Sequence, residues 1–194
     1  MRVIVRGVAD KTNYTLSPND PLQPTALNRD SKGLRVEGGF RFDITSLLYG
    51  EVRAGYFQRN YADPTLEDTS GLSFGADLLW NVTPLTTLKV GADRRVDEAA
   101  STTIAGNRTT QFDASVDHEL LRNLILSGDF MYRRIAPLGP LRASDEFYAR
   151  AGARILLNRQ LSIRASYRYA KRNSNVAARA FSENRAMLAA VLTF

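Results

Sequence analysis

Gly33-Leu34-Arg35-Val36-Glu37-Gly38-Gly39-Phe40-Arg41-Phe42-Asp43-Ile44 is the stretch that decides the fold class. Leu34, Val36, Gly38, Phe40, Phe42 and Ile44 are apolar or small, and the residues between them, Arg35, Glu37, Gly39, Arg41 and Asp43, are mostly charged. Successive side chains of a strand point to opposite faces, whereas a helix gathers every third or fourth residue. A sustained period of two therefore specifies a strand with one apolar and one polar face.

The same rule extends in both directions. From Gly71 the apolar set is Leu72, Phe74, Ala76, Leu78, Trp80 and Val82; from Thr109 it is Thr110, Phe112, Ala114, Val116, His118 and Leu120. From Glu146 it is Phe147, Ala149, Ala151, Ala153, Ile155 and Leu157; from Glu183 it is Asn184, Ala186, Leu188, Ala190, Leu192 and Phe194. The starts 33, 71, 109, 146 and 183 are separated by 38, 38, 37 and 37 residues. Return strands lie between them, around Leu48–Tyr56, Leu88–Ala92, Leu124–Tyr132 and Leu161–Tyr169, and a weaker first strand spans Val3–Ala9. This is a meander of about ten strands in five hairpins of near-constant period.

Short connections are expected near 45–47, 83–86, 121–123 and 158–160, and long ones near 13–32, 59–70, 97–108, 135–145 and 172–182. Alternating short turns and long loops is the rhythm of a transmembrane barrel. All seven prolines (Pro18, Pro21, Pro24, Pro64, Pro84, Pro137 and Pro140) fall in the expected connections. Proline has no N–H to give a ladder, so this placement supports the register.

Composition agrees. The 194 residues fit a single domain, 1–194, with 44% hydrophobic and 24% charged residues and a net charge of +6. The absence of cysteine excludes disulfides, thiolate metal sites and cysteine nucleophiles. The longest apolar run, Ala186–Leu192, is far below the roughly 18 residues of a membrane helix. A barrel strand needs only about 9–11 tilted residues, of which alternate ones meet lipid, so a mean hydropathy of −0.26 is compatible with a barrel. Arg6 and Asp10 interrupt the start, which therefore lacks the apolar core of an export signal. The expectation is that the true start lies upstream, with this chain either a barrel in itself or the C-terminal part of a larger one.

A soluble sandwich would also alternate, with its apolar face packed inward. Two features favour lipid outside. Tyr56, Phe74, Phe130, Tyr132, Phe147, Tyr167 and Tyr169 fall on the apolar phase toward the long-loop end, and Phe42, Trp80 and Phe194 toward the short-turn end. Amphipathic rings at two heights form the girdles of a membrane barrel. Phe194, closing an alternating strand, resembles the insertion signal of bacterial outer-membrane proteins.

Gly55–Pro64, Trp80–Leu88, Asp117–Leu124, Leu156–Ser162 and Tyr167–Tyr169 resemble the putative beta-barrel porin 2 family over about residues 33–194. The resemblance implies an antiparallel up-and-down transmembrane β-barrel of the bacterial outer membrane. Some family members are linked to exopolysaccharide or capsule export. It brings no catalytic residues and no cofactor. The partners it implies are outer-membrane lipid, lipopolysaccharide and the barrel-assembly machinery.

If the apolar phase meets lipid, the polar phase lines the interior. There the expected basic patch is Arg150, Arg154, Arg164, Arg168 and Arg185, with hardly an acid between them, and the expected acidic patch is Asp113, Asp117, Glu119 and Asp129. Such a wall suits a porin-like channel or export-associated barrel that favours anionic solutes or polysaccharide. The alternative is a closed structural or adhesive barrel, its interior filled by salt bridges. An enzyme is not expected: the sole histidine, His118, lies on the lipid phase, and no phosphate loop or metal cluster is legible. Nucleic acid is not an expected partner either, because no aromatic platform shares the arginine face.

Overall fold

A computed structural model describes residues 1–13, 28, 30–45, 47–98, 106–138, 142–174 and 177–193. The described residues form ten strands: β1 (Arg2–Thr12), β2 (Ser31–Ile44), β3 (Leu48–Tyr61), β4 (Thr69–Thr83), β5 (Thr86–Glu98), β6 (Gly106–Leu121), β7 (Leu124–Pro137), β8 (Ser144–Leu156), β9 (Leu161–Asn173) and β10 (Phe181–Leu192). One 3-10 turn, Ala177–Arg179, precedes β10. The strands form one sheet in sequence order, every neighbouring pair antiparallel. Among the described residues β1 and β10 do not pair, so the sheet is not closed.

The sequence-derived hairpins coincide with these strands, with one systematic difference. At the long-loop end the ladders run several residues further than expected: β3 reaches Tyr61, β4 begins at Thr69, β5 and β6 meet at Glu98 and Gly106, and β7 ends at Pro137. Asn60, Gly106 and Asn107 are turn-type residues by local preference, and cross-strand pairing overrides that preference. Pro137 is correspondingly not in a connection but on the last rung of β7, opposite Asn107, where a missing N–H costs the ladder least. Pro64 and Pro84 lie in connections, while Pro18, Pro21, Pro24, Pro140 and Phe194 lie outside the described residues.

The turns opposite are tight. Thr45 takes a left-handed φ of 73° to reverse the chain between β2 and β3. In the turn before β9, Asn158 accepts the backbone N–H groups of Gln160 and Leu161 at 2.9 and 2.8 Å, a side-chain mimic of a backbone turn.

Burial assigns the two faces. Leu34 is 54% exposed, Leu72 67% and Leu188 76%, and the rest of the large apolar phase behaves similarly. Among the described residues Phe57 is the single buried large hydrophobic side chain. A water-soluble domain cannot leave its whole apolar phase uncovered, because contiguous apolar patches beyond a few hundred Å² are rare on soluble monomers. The buried residues belong instead to the polar phase: Ser31, Glu37, Thr69, Ser73 and Thr109. Side chains of that phase also reach over an intervening strand, Arg53 to Asp93 and Arg59 to Asp10. The charged face is thus the inner face of the curled sheet and the apolar face its exterior.

Candidate functional site: the charged inner wall

On the β1–β5 side the inner wall is a closed ionic network. Arg53 stands at its centre, 3.3 Å from Asp77, 3.4 Å from Glu51, 3.7 Å from Glu37 and 3.8 Å from Asp93. Arg41 adds a 2.6 Å contact to Glu51, and Arg95 a 2.7 Å contact to Asp93. Glycines make the room: a Cβ on Gly75 would overlap the Arg53 guanidinium, and one on Gly39 would strike the Val52 carbonyl and Arg53 Cα. With no side chain on these flanking rungs, the guanidinium lies along the wall among four carboxylates. The buried inner residues Ser31, Phe57, Thr69, Ser73 and Thr109 lie in the loop-side half of β2–β6, so the wall is most filled there. Toward the turns it opens into a cavity of about 670 Å³ whose inner lining includes Arg41, Tyr49, Glu51, Asp77, Lys89 and Asp113.

The β7–β10 side is different. Register sets Arg150, Arg168 and Arg185 on one rung across three strands, and Arg154 against Arg164 on another. All five arginines expected for the basic patch therefore share one stretch of inner wall. It is less free of acids than the sequence suggested. Arg150 Nε donates to Asp129 at 2.8 Å. Glu183 receives Arg168 at 2.6 Å and Arg185 at 2.9 Å. Glu146 receives Arg172 at 3.0 Å and Arg133 at 3.4 Å. Glu146 and Glu183 are in phase with these arginines, a signal the sequence carried. Arg154 and Arg164 remain, with no ion-pair partner among the described residues. They line a cavity of about 330 Å³ together with Arg150, Asp117, Ser127 and Ser166.

The expected acidic residues Asp113, Asp117, Glu119 and Asp129 all project to the inner wall from β6 and β7, beside the arginines and not across from them. Tyr49, Leu79 and Met187 also share this wall, apolar residues in polar phase that alternation alone did not single out. On the exterior, Tyr56, Trp80 and Tyr167 are exposed, Phe74 lies 6.2 Å from Phe112, and Tyr132 lies 5.1 Å from Phe147. Tyr169 is exterior and half-buried. His118 is exterior near a turn, its Nδ1 2.9 Å from the Thr86 hydroxyl, away from the inner carboxylates. The described residues hold no cluster of His, Cys, Asp or Glu that could ligate a metal.

A single antiparallel meander with an apolar exterior and a charged interior defines a porin-like β-barrel of the outer-membrane class. The particular family follows from comparison: the chain belongs to the putative beta-barrel porin 2 family, which matches it over residues 1–194. Among solved structures it is similar to the porin NanC at 10% identity and a TM-score of 0.48, over 99% of this chain and 94% of that one. Comparison with curated proteins finds no match.

Proposed function

We propose that this protein is a non-enzymatic, porin-like channel of the bacterial outer membrane whose inner wall favours anionic solutes, acidic sugars or polysaccharide segments among them. The observation that carries the reading is the Arg154–Arg164 rung. Two like charges opposed across a ladder are destabilising, and a carboxylate neighbour would relieve them. The neighbouring inner-wall arginines are held in such ion pairs and this pair is in none among the described residues, Asp117 being the carboxylate that lines its cavity. Low-dielectric walls focus the field of such a pair, and a guanidinium binds a carboxylate through two parallel hydrogen bonds, giving orientation as well as attraction.

A closed structural or adhesive barrel is the second reading, favoured by the Arg53 network, which fills its side of the interior with paired charge. Single-channel recording in planar bilayers separates the two. The channel reading expects conductance with anion preference, reduced or reversed by Arg154→Glu with Arg164→Glu. Absence of conductance, or an ion preference unmoved by the double variant, leaves the structural barrel.

A further inference from the structure

The exterior face of the strands is not uniformly apolar, and its strand-borne charges gather at one end. Toward the short turns the exterior carries Ile44, Leu48, Trp80, Val82, Leu120, Ile155 and Leu192, with His118 the single titratable side chain. Toward the long loops it carries Lys11, Lys32, Arg94, Arg108, Arg134 and Lys171. Against these six cations the exterior strand positions at that end hold two carboxylates, Asp145 on β8 and Glu98 at the end of β5.

Three of the cations form a cluster. Arg94 on β5 and Arg134 on β7 are both register partners of Thr110 on β6. Arg108 lies two residues from Thr110 on the same face of β6. The guanidinium-bearing residues thus surround Thr110 on three sides. Three cations here stand against two carboxylates on the same face, Asp145 and Glu98. Arg94 Nε is buried without a hydrogen-bond partner, Arg108 has no ion-pair partner among the described residues, and Arg134 meets Asp145 only at 3.9 Å. One rung nearer the membrane centre sit the rings of Phe112, Tyr132 and Phe147. Aromatic rings mark the height of the membrane–water boundary, so the arginines stand at headgroup level, pointing outward and not into the lumen.

We propose that Arg94, Arg108 and Arg134, with the Thr110 hydroxyl between them, form a binding site on the barrel's exterior for the phosphate of a membrane-anchored glycolipid, the phosphorylated headgroup of lipopolysaccharide. Phosphate is the matching chemistry, since planar guanidinium groups satisfy its oxygens in parallel pairs while the aromatic rings below cover acyl chains. The asymmetry identifies the leaflet: long loops face outward in such barrels, and the exterior cations of the strands lie at that end, the short turns opposite carrying Arg122 and Arg159. The inference rests on outer-membrane placement and is independent of whether the lumen conducts.

The full chain, refolded in detergent micelles, is titrated with lipopolysaccharide bearing its lipid phosphates and with the same glycolipid dephosphorylated, and bound glycolipid is counted by native mass spectrometry. Wild type should prefer the phosphorylated form. Arg94→Gln with Arg108→Gln should weaken its binding on the order of tenfold per arginine and erase the preference. Arg94→Lys with Arg108→Lys keeps the charge and should retain most binding, which separates the site from a folding defect. The inner-wall variant Arg164→Gln should bind as wild type does, even if it alters conductance. Equal affinity for both glycolipids, an equal loss from Arg164→Gln, or complete displacement by millimolar inorganic phosphate would each overturn the assignment, the last by showing a site for free phosphate.

Discussion

Arg150 donates to Asp129 at 2.8 Å across β7 and β8, while four residues further along the same inner face Arg154 opposes Arg164 and is in no ion pair among the described residues. Two neighbouring arginines of one strand therefore sit in opposite electrostatic situations.

Their removal should act in opposite directions. Asp129→Ala deprives Arg150 of its partner and should cost about 0.2–1 kcal/mol, the range of a partly exposed pair. Arg154→Ala relieves a like-charge rung and should leave stability unchanged or raise it by a similar amount. Equilibrium urea unfolding in lipid vesicles reads both; a loss from Arg154→Ala as large as that from Asp129→Ala would contradict the assigned pairing.

Adjacent glycines in β2 offer a sharper contrast. A Cβ on Gly38 meets nothing within 4 Å, whereas one on Gly39 would lie 2.2 Å from the Val52 carbonyl oxygen, a backbone atom that cannot swing aside. Gly38→Ala should be tolerated. Gly39→Ala should cost about 1–3 kcal/mol by overpacking and loosen the bed of Arg53. Comparable folded yields and urea midpoints for the two variants would refute this account of the inner wall.

The membrane-facing assignment predicts a depth-dependent penalty. Ala151 is exterior near mid-strand in β8 and Arg150 is interior, one residue away. Ala151→Arg should destabilise the refolded protein by about 2–4 kcal/mol, the cost of arginine at the bilayer midplane. Arg150→Ala should cost far less. Equal losses would reverse the two faces.

One loop carboxylate supplies a pH dependence. In the β3–β4 loop Asp63 accepts the Thr65 hydroxyl at 2.6 Å, the Thr65 N–H at 2.9 Å and, from the preceding loop, the Asn28 N–H at 3.1 Å. The Thr65 hydroxyl, and then these backbone donors, hold its carboxyl below the usual aspartate value. A depressed folded-state pKa stabilises the loop contact above the unfolded value near 3.9 and loses it as pH falls through the folded value. An NMR titration should place the Asp63 midpoint below 3.9, and Asp63→Asn should flatten the acid-side change in exchange of the Asn28 and Thr65 amides. A midpoint at or above 3.9 would remove the claim.

Much of the fold was legible from residue order alone. Alternation fixed ten strands and their faces because side-chain direction has a period of two and any slip exchanges the faces. It placed Arg150, Arg154, Arg164, Arg168 and Arg185 on one face for the same reason. Strand ends were less legible. Asn60, Gly106, Asn107 and Pro137 read locally as turn residues, and only the partner strand keeps them in the ladder.

Register across strands is what the sequence could not state. Within one strand, Arg150 and Arg154 are equivalent; opposite Asp129 one becomes a paired structural charge, and opposite Arg164 the other stands outside the ion pairs of the described residues. The same holds for Arg53, whose four carboxylates come from β2, β3, β4 and β5, and for Arg94, Arg108 and Arg134, far apart in the chain and gathered around Thr110. The sequence by itself determined which residues face lipid and which face the interior, because that depends only on parity along a strand. The tertiary structure decided which charges neutralise one another and which stand outside the ion pairs of the described residues. Coulomb interactions act at distances of a few Å between side chains that only folding brings together.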